Sequence, residues 1–117
     1  MTDFILPPQP DYASILLGAA PTFMQSEEYA SLEPSDMEST GLIFAAFARF
    51  FEKAMSEDGL RQECIDAVER LASLSDVRAD NLIVTEVFEN LEQQELIACV
   101  LGPIARALFD QWKGVIY

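Results

Sequence analysis

Carboxylates are the side chains of this sequence best suited to chemistry. The chain has 20 Asp and Glu against 7 Lys and Arg, and it has no His. A pair of carboxylates one helical turn apart can serve as general acid and base, and Asp66 and Glu69 have that spacing. On an amphipathic helix such pairs are usually just solvated. We therefore expect no catalytic residues and no enzyme activity.

The lack of histidine excludes several other kinds of site. Ser–His–Asp and Cys–His nucleophiles, histidine-ligated zinc and di-iron sites with Glu-x-x-His pairs all require it. The stretch 56–59 is too short to match the calcium loop of an EF-hand. The five glycines are scattered singly, so the sequence has no glycine-rich phosphate loop. We therefore expect no metal and no other cofactor.

The two cysteines have a structural interpretation. Cys64 and Cys99 can form at most one disulfide, and both lie among apolar residues of predicted helices. A free cysteine in such a context usually acts as a small buried hydrophobic residue. The sequence therefore predicts that both thiols are buried.

The acidic residues fall largely in two long segments that contain no Lys or Arg. The first is 1–48, with seven carboxylates, and the second is 79–105, with five. The whole chain has a net charge of −13. Because such a surface repels phosphate backbones and anionic lipids, we expect no direct nucleic-acid binding, no membrane binding and a cationic protein partner.

Two acidic surfaces are candidates for binding that partner. The first comprises Asp80, Glu86, Glu89, Glu92 and Glu95. The second comprises Glu27, Glu28, Glu33 and Asp36. An acidic surface can also serve solubility alone. Uncompensated like charges on helices are unfavourable by about 0.2–0.5 kcal/mol per pair, however, and this cost favours a binding role.

Apolar residues at helical spacing indicate an all-α fold. The pattern, with its caps and breakers, predicts helices at about 12–20, 22–29, 35–56, 60–72, 76–90, 93–101 and 103–113. Capping boxes at Thr22–Gln25 and Ser35–Glu38 would open the second and third of these. Gly102 and Pro103 separate the last two. The sequence shows no hairpin and no βαβ pattern.

These helices predict one compact domain at 12–117, preceded by an extended Pro-rich segment at 1–11. Six or seven helices would form either an irregular bundle or a short stack of helix pairs. The central helix would bury an apolar face that includes Ile43, Phe47 and Phe50. In the helix 76–90, a buried stripe of Ile83, Val87 and Leu91 would direct Glu86 and Glu89 outward. The last helix would bury Ile104, Ala105, Leu108, Phe109 and Trp112.

The sequence predicts a cytoplasmic location. Its N-terminus lacks a positively charged region, and the apolar run 15–20 is shorter than the core of a secretion signal. No stretch approaches the roughly 20 apolar residues that span a membrane.

Four short motifs resemble those of a known class of protein. They are Pro21–Phe23 before an acidic stretch, Ile65–Leu71, the run Asp76–Leu91 and Leu101–Pro103. Together they resemble the small, acidic, all-helical bacterial immunity proteins that are encoded beside polymorphic toxins. Glu69 and Glu89 match acidic positions of that pattern, with no catalytic role attached. The resemblance implies a stoichiometric inhibitor that binds a cognate toxin, commonly a basic nuclease, and blocks its active site or an essential surface.

Other functions are also compatible with this sequence. A DNA mimic, whose carboxylates replace phosphates, would compete with DNA for several unrelated DNA-binding proteins, whereas an immunity protein would recognise one partner. A helical adaptor subunit would bind without inhibiting. An enzyme that uses carboxylates such as Asp66 and Glu69 is the remaining alternative.

Overall fold

The computed structural model describes residues 11–35 and 39–114, and within these ranges every regular element is a helix. The predicted all-α fold is therefore confirmed. The described residues form seven α-helices: α1 (Tyr12–Ala19), α2 (Glu27–Ala30), α3 (Thr40–Ala54), α4 (Asp58–Ala72), α5 (Val77–Leu82), α6 (Gln94–Ala98) and α7 (Pro103–Lys113). Apart from Asp11, the Pro-rich segment predicted at 1–11 lies outside the described residues.

The first helix begins and ends close to its predicted limits. The Asp11 carboxylate accepts a hydrogen bond from the Ser14 amide at 3.1 Å and so caps α1. Tyr12 and Leu16 are buried on its inner side. The Tyr12 hydroxyl donates to Asp76 at 2.5 Å, which joins α1 to the start of α5.

The capping box predicted at Thr22–Gln25 is wrong. Pro21–Gln25 forms a 3₁₀ turn, and α2 starts only after Ser26, whose hydroxyl oxygen accepts from the Tyr29 amide. Thr22 caps no helix, and its hydroxyl instead donates to the Glu63 carboxylate of α4 at 3.1 Å. A contact between distant parts of the chain therefore replaces the local one.

The central helix starts later than Ser35. Ser39 caps α3 by accepting from the Leu42 amide at 3.3 Å, while Ser35 lies in a turn and Glu38 is outside the described residues. The predicted apolar face is confirmed, since Ile43, Phe47 and Phe50 are buried. In α4, Asp58 and Gly59 form the first turn of the helix rather than a break before it.

The helix predicted at 76–90 is continuous, but its winding changes along its length. Asp76 caps α5, as predicted, by accepting from the Arg78 amide. The chain then widens into a π-helical turn at Ile83–Val87 and tightens into a 3₁₀ turn at Phe88–Asn90. The β-branched residues here thus remain helical, and the wider turn alters the directions of the side chains that follow.

The last two helices differ from prediction in length and in one buried residue. Helix α6 ends at Ala98 instead of Leu101, whereas α7 has the predicted limits and ends at Gly114 with φ of +76°. Ala105 and Phe109 of α7 are buried, and Leu108 and Trp112 are half-buried. Ile104 was expected in the core but is 47% exposed, because it lies at the rim of a surface groove beside α4.

The helices pack as an irregular bundle around α3 and α4. Helix α3 contacts α1, α2, α4 and the π-helical turn, while α4 also contacts α1, α5 and α7. Contacts between helices so distant in the chain differ from those of a stack of pairs, in which each unit touches only its neighbours. Within the described residues, none of the helices has the length and apolar character needed to cross a bilayer.

Aromatic rings fill this bundle in two clusters. The larger contains Phe23, Tyr29, Phe47, Phe50 and Phe51, with centroids 5.3–6.5 Å apart in its contacting pairs. The smaller joins Phe88 to Phe109 and Trp112 of α7, at 5.2–5.9 Å. Edge-on and tilted ring pairs of this kind add stability beyond burial alone.

Candidate functional site

Three of the predicted partner-binding carboxylates are exposed in the segment that runs from the 3₁₀ turn at Phe88–Asn90 into α6. Glu89, Glu92 and Glu95 are exposed, and in the part of the chain that the structure describes none of them has a hydrogen-bonding or ion-pairing partner for its carboxylate. Leu96, the next residue along, is 59% exposed. We call Glu89, Glu92, Glu95 and Leu96 the acidic strip.

A carboxylate from α3 holds the backbone of the acidic strip in place. Both oxygens of Glu52 accept from the Glu92 amide at 3.1 Å, and one also accepts from the Gln93 amide at 3.0 Å. The Gln94 side chain donates to the Phe88 carbonyl. Sequence analysis missed Glu52, because a bond across 40 residues leaves no local pattern. It orders the loop between Asn90 and α6 and so fixes the strip.

Glu86 is not part of this exposed surface, contrary to prediction. It is half-buried, and a Cβ added to Gly41 would lie 3.4 Å from its carboxylate. The helical spacing predicted an outward direction, but the π-helical turn places Glu86 against the first turn of α3. A carboxylate is electrostatically favourable near a helix N-terminus, and this position takes Glu86 away from the exposed surface.

Asp80 occupies a different environment from the acidic strip. It is half-buried in a groove between α5 and α7. The other four predicted carboxylates do not line this groove. Burial first, and the nearby Asp76 second, raise the pKa of its carboxyl. The structure therefore divides the first predicted surface into the acidic strip, the half-buried Glu86 and the groove residue Asp80.

The second predicted surface is partly neutralised. Lys53, at the end of α3, forms an ion pair with Glu28 and a longer one of 3.8 Å with Glu27. The hydrogen bond with Glu28 raises the pKa of Lys53. The side chain of Glu28 is only 10% exposed, which corrects the expectation that it faces a partner. Glu33 is exposed, and Asp36 lies outside the described residues.

Asp66 and Glu69 line one cleft of α4, and each carboxylate accepts hydrogen bonds. The Glu69 carboxylate accepts from the Ile104 amide at 3.1 Å and from the Ala105 amide at 2.8 Å, and so caps α7 from α4. Asp66 accepts from the Gln62 side chain. Glu69 approaches Gly102 so closely that an added Cβ there would lie 2.7 Å from its carboxyl carbon.

The two cysteines differ in exposure. Cys64 is buried as predicted, and burial raises its pKa to about 12. Cys99 is exposed, which corrects the prediction. It follows the short helix α6, in which only Ile97 and Ala98 are buried. Among the described residues, no three Cys, Asp or Glu side chains are grouped so that they could hold a metal ion.

Comparison with family models, curated proteins and solved structures finds no match to this chain.

Proposed function

We propose that this chain is an immunity-type inhibitor that binds and neutralises a basic toxin through the acidic strip. The carrying observation is that Glu89, Glu92 and Glu95 are exposed without basic partners in the described ranges, beside the exposed Leu96. Other carboxylates of the chain hold its own structure together: Asp11, Glu28, Glu52, Glu69 and Asp76. The carboxylates of the strip are thus available to a partner.

Charge and apolar contact have separate roles in this binding. The negative field of the strip speeds the encounter with a cationic protein, and this effect weakens as salt is added. Leu96 supplies apolar area that leaves water on contact. Carboxylates that become desolvated against a partner Arg contribute most to holding the complex together, and the bound chain covers a basic surface that the toxin needs.

Charge reversal tests the assignment directly. The double variant Glu89→Lys with Glu92→Lys changes two exposed residues outside the α-helices. The control variant, Glu57→Lys with Asp66→Lys, makes the same change of charge at exposed positions of and beside α4. Affinity for the toxin encoded beside this chain is measured at two salt concentrations, with circular dichroism as the check on folding.

We expect the strip variant to bind at least about 30-fold more weakly, since losing a desolvated charge pair costs about 2–5 kcal/mol. The control should bind within a few fold of the unchanged protein. Equal weakening of both variants would mean that only net charge matters, and no weakening of either would remove the strip from the binding site.

Two further measurements separate inhibition from the other functions considered. Co-expression with the toxin should restore growth, whereas an adaptor would bind without rescue. A DNA mimic would displace duplex DNA from several unrelated DNA-binding proteins, while an inhibitor of one toxin should displace it from none of them.

A further inference from the structure

A groove runs along α7 on the side that faces α5. It consists of two adjoining clefts of about 370 and 290 Å³, which share Asp80, Leu108 and Gln111. Ile104 lines the first cleft, and Val77 and Trp112 line the second. We call the two clefts together the α5–α7 groove.

The walls of the α5–α7 groove expose apolar side chains. Val77 is 73% exposed and Ile104 is 47% exposed, while Leu108 and Trp112 are half-buried between them. Apolar side chains that are exposed side by side, unlike single ones, can mark a surface that a ligand or partner covers. A concave surface of apolar side chains with a few polar groups, here including Asp80 and Gln111, is also a common form of binding site.

The length of the groove matches two turns of a helix. Ile104, Leu108 and Trp112 are spaced by four residues each along α7. At 1.5 Å of rise per residue, they extend over about 12 Å. An occupant that packs along this row therefore needs apolar side chains repeated at the same helical spacing.

The walls also determine the backbone conformation of the occupant. They are formed by the end of α4 and the turn after it, by α5 with its π-helical continuation, and by α7, and none of these segments is a strand. An extended segment would find no sheet edge to pair with, and its own amides would be left without partners among apolar side chains. A helix satisfies its backbone internally, so a helix is the suitable occupant.

Asp80 sets the charge of the occupant. Its carboxylate lies among the apolar walls and has no hydrogen-bond or ion-pair partner within residues 11–35 and 39–114. A Lys or Arg from an occupant would supply the missing partner. A second copy of this chain is disfavoured, because each copy has a net charge of −13.

We propose that the α5–α7 groove binds a cationic amphipathic helix of a partner protein, with apolar residues packed along Ile104, Leu108 and Trp112 and one Lys or Arg facing Asp80. The groove is a different site from the acidic strip. Its use by a partner does not require that the partner be a toxin, so the inference goes beyond the proposed function.

The only tryptophan of the chain provides a local probe, since Trp112 lines the groove. The ligand is a Trp-free synthetic peptide of about 14 residues, made of Leu and Lys so that all leucines lie on one face of a helix. A peptide of the same composition with the leucines scattered is the control ligand. We measure Trp112 emission during titration, and follow total binding by the anisotropy of a labelled peptide.

The amphipathic peptide should shift Trp112 emission to shorter wavelength in a saturable manner. Asp80→Asn should weaken this binding about tenfold, the loss of one charge pair worth about 1.4 kcal/mol. Asp66→Asn, which removes a similar charge outside the groove, should change it less than twofold, and the scattered peptide should not shift the emission.

Three results would overturn the proposal. The first is peptide binding seen by anisotropy while Trp112 emission stays constant. The second is equal weakening by Asp80→Asn and Asp66→Asn, which would show unspecific attraction to an acidic protein. The third is a dimer of the free chain that Leu108→Asp abolishes, which would assign the groove to a second copy. The variant Glu89→Lys with Glu92→Lys should change peptide affinity by no more than a few fold. The groove proposal and the proposed function of the acidic strip can therefore fail independently of each other.

Discussion

Phe47 contacts three other rings of the larger aromatic cluster. It is fully buried, and its ring lies 5.5 Å from that of Phe23, 5.9 Å from Phe51 and 6.5 Å from Phe50. We expect Phe47→Ala to lower the free energy of unfolding by about 3–5 kcal/mol, because the change loses apolar burial and leaves a cavity. Denaturant titration measures this. A loss of less than about 1 kcal/mol would contradict the packing described here.

Asp80 provides a pH-dependent test at the residue scale. Its raised pKa means that the folded chain holds the proton more tightly than the unfolded chain, so the ionised carboxylate opposes folding. The penalty is absent below the unfolded pKa of about 3.9 and develops as pH rises through the folded pKa. Asp80→Asn should therefore increase the free energy of unfolding at pH 7 and leave it nearly unchanged at pH 3.

The control for this prediction is Asp66→Asn. Thermal unfolding of both variants at pH 3 and pH 7 makes the comparison. A decrease in stability for Asp80→Asn at pH 7 would mean that the carboxylate has a stabilising partner in the folded chain. An increase would indicate that the chain keeps a charge in the α5–α7 groove at the expense of stability, which is a common property of binding sites.

The buried apolar face of α3 was predictable, whereas polar contacts between distant parts of the chain were not. The inward directions of Ile43, Phe47 and Phe50 follow from helical spacing, and the structure confirms them. The roles of Glu52 and Glu69 depend on amides 35 to 41 positions away in the chain. Spacing along one helix contains no information about such partners.

The approach of Glu69 to Gly102 supports a prediction at the scale of one element. Gly102→Ala would place a Cβ 2.7 Å from the Glu69 carboxyl carbon and displace the carboxylate that caps α7. We expect a loss of about 1–2 kcal/mol in the free energy of unfolding, similar to the loss of a helix cap. Thermal or denaturant unfolding measures the change.

Gly59→Ala is the matched control for that substitution. Gly59 lies in the first turn of α4 with nothing within 4 Å of an added Cβ. Because alanine favours a helix by up to about 1 kcal/mol relative to glycine, this variant should be neutral or more stable. Equal effects of the two substitutions would show that the contact with Glu69 is unimportant.

The limits of the helices were predictable where a local residue determines them. Asp11, Asp76, Pro103 and Gly114 begin or end helices as predicted. The capping box at Ser35–Glu38 placed the start of α3 at Ser35, whereas Ser39 is the residue that caps the helix. The π-helical turn at Ile83–Val87 was not predicted from the sequence, and the outward direction predicted for Glu86 was wrong.

At the scale of the whole molecule, charge counting predicted an acidic chain but not where its charge is available. The segments 1–48 and 79–105 contain no basic residue, yet Lys53 folds back onto Glu27 and Glu28. The acidic strip has no such neighbour in the described residues. The folded chain thus pairs some carboxylates with its few basic side chains and leaves others unpaired. The two predicted surfaces differ in this respect, since Lys53 partly neutralises one and no basic side chain of the described residues pairs with the acidic strip.

Because Cys99 is exposed and Cys64 is buried, the alkylation rates of the two thiols report how often the folded bundle opens around Cys64. An alkylating reagent can reach Cys99 in the folded state, whereas Cys64 is enclosed and has almost no thiolate near neutral pH. The first modification should therefore be fast, and the second should follow the rate at which α4 separates from the bundle. Mass spectrometry resolves the singly and doubly alkylated chains, so one time course gives the frequency of opening without denaturant. Comparable rates at the two thiols would mean that the core around Cys64 opens readily under native conditions.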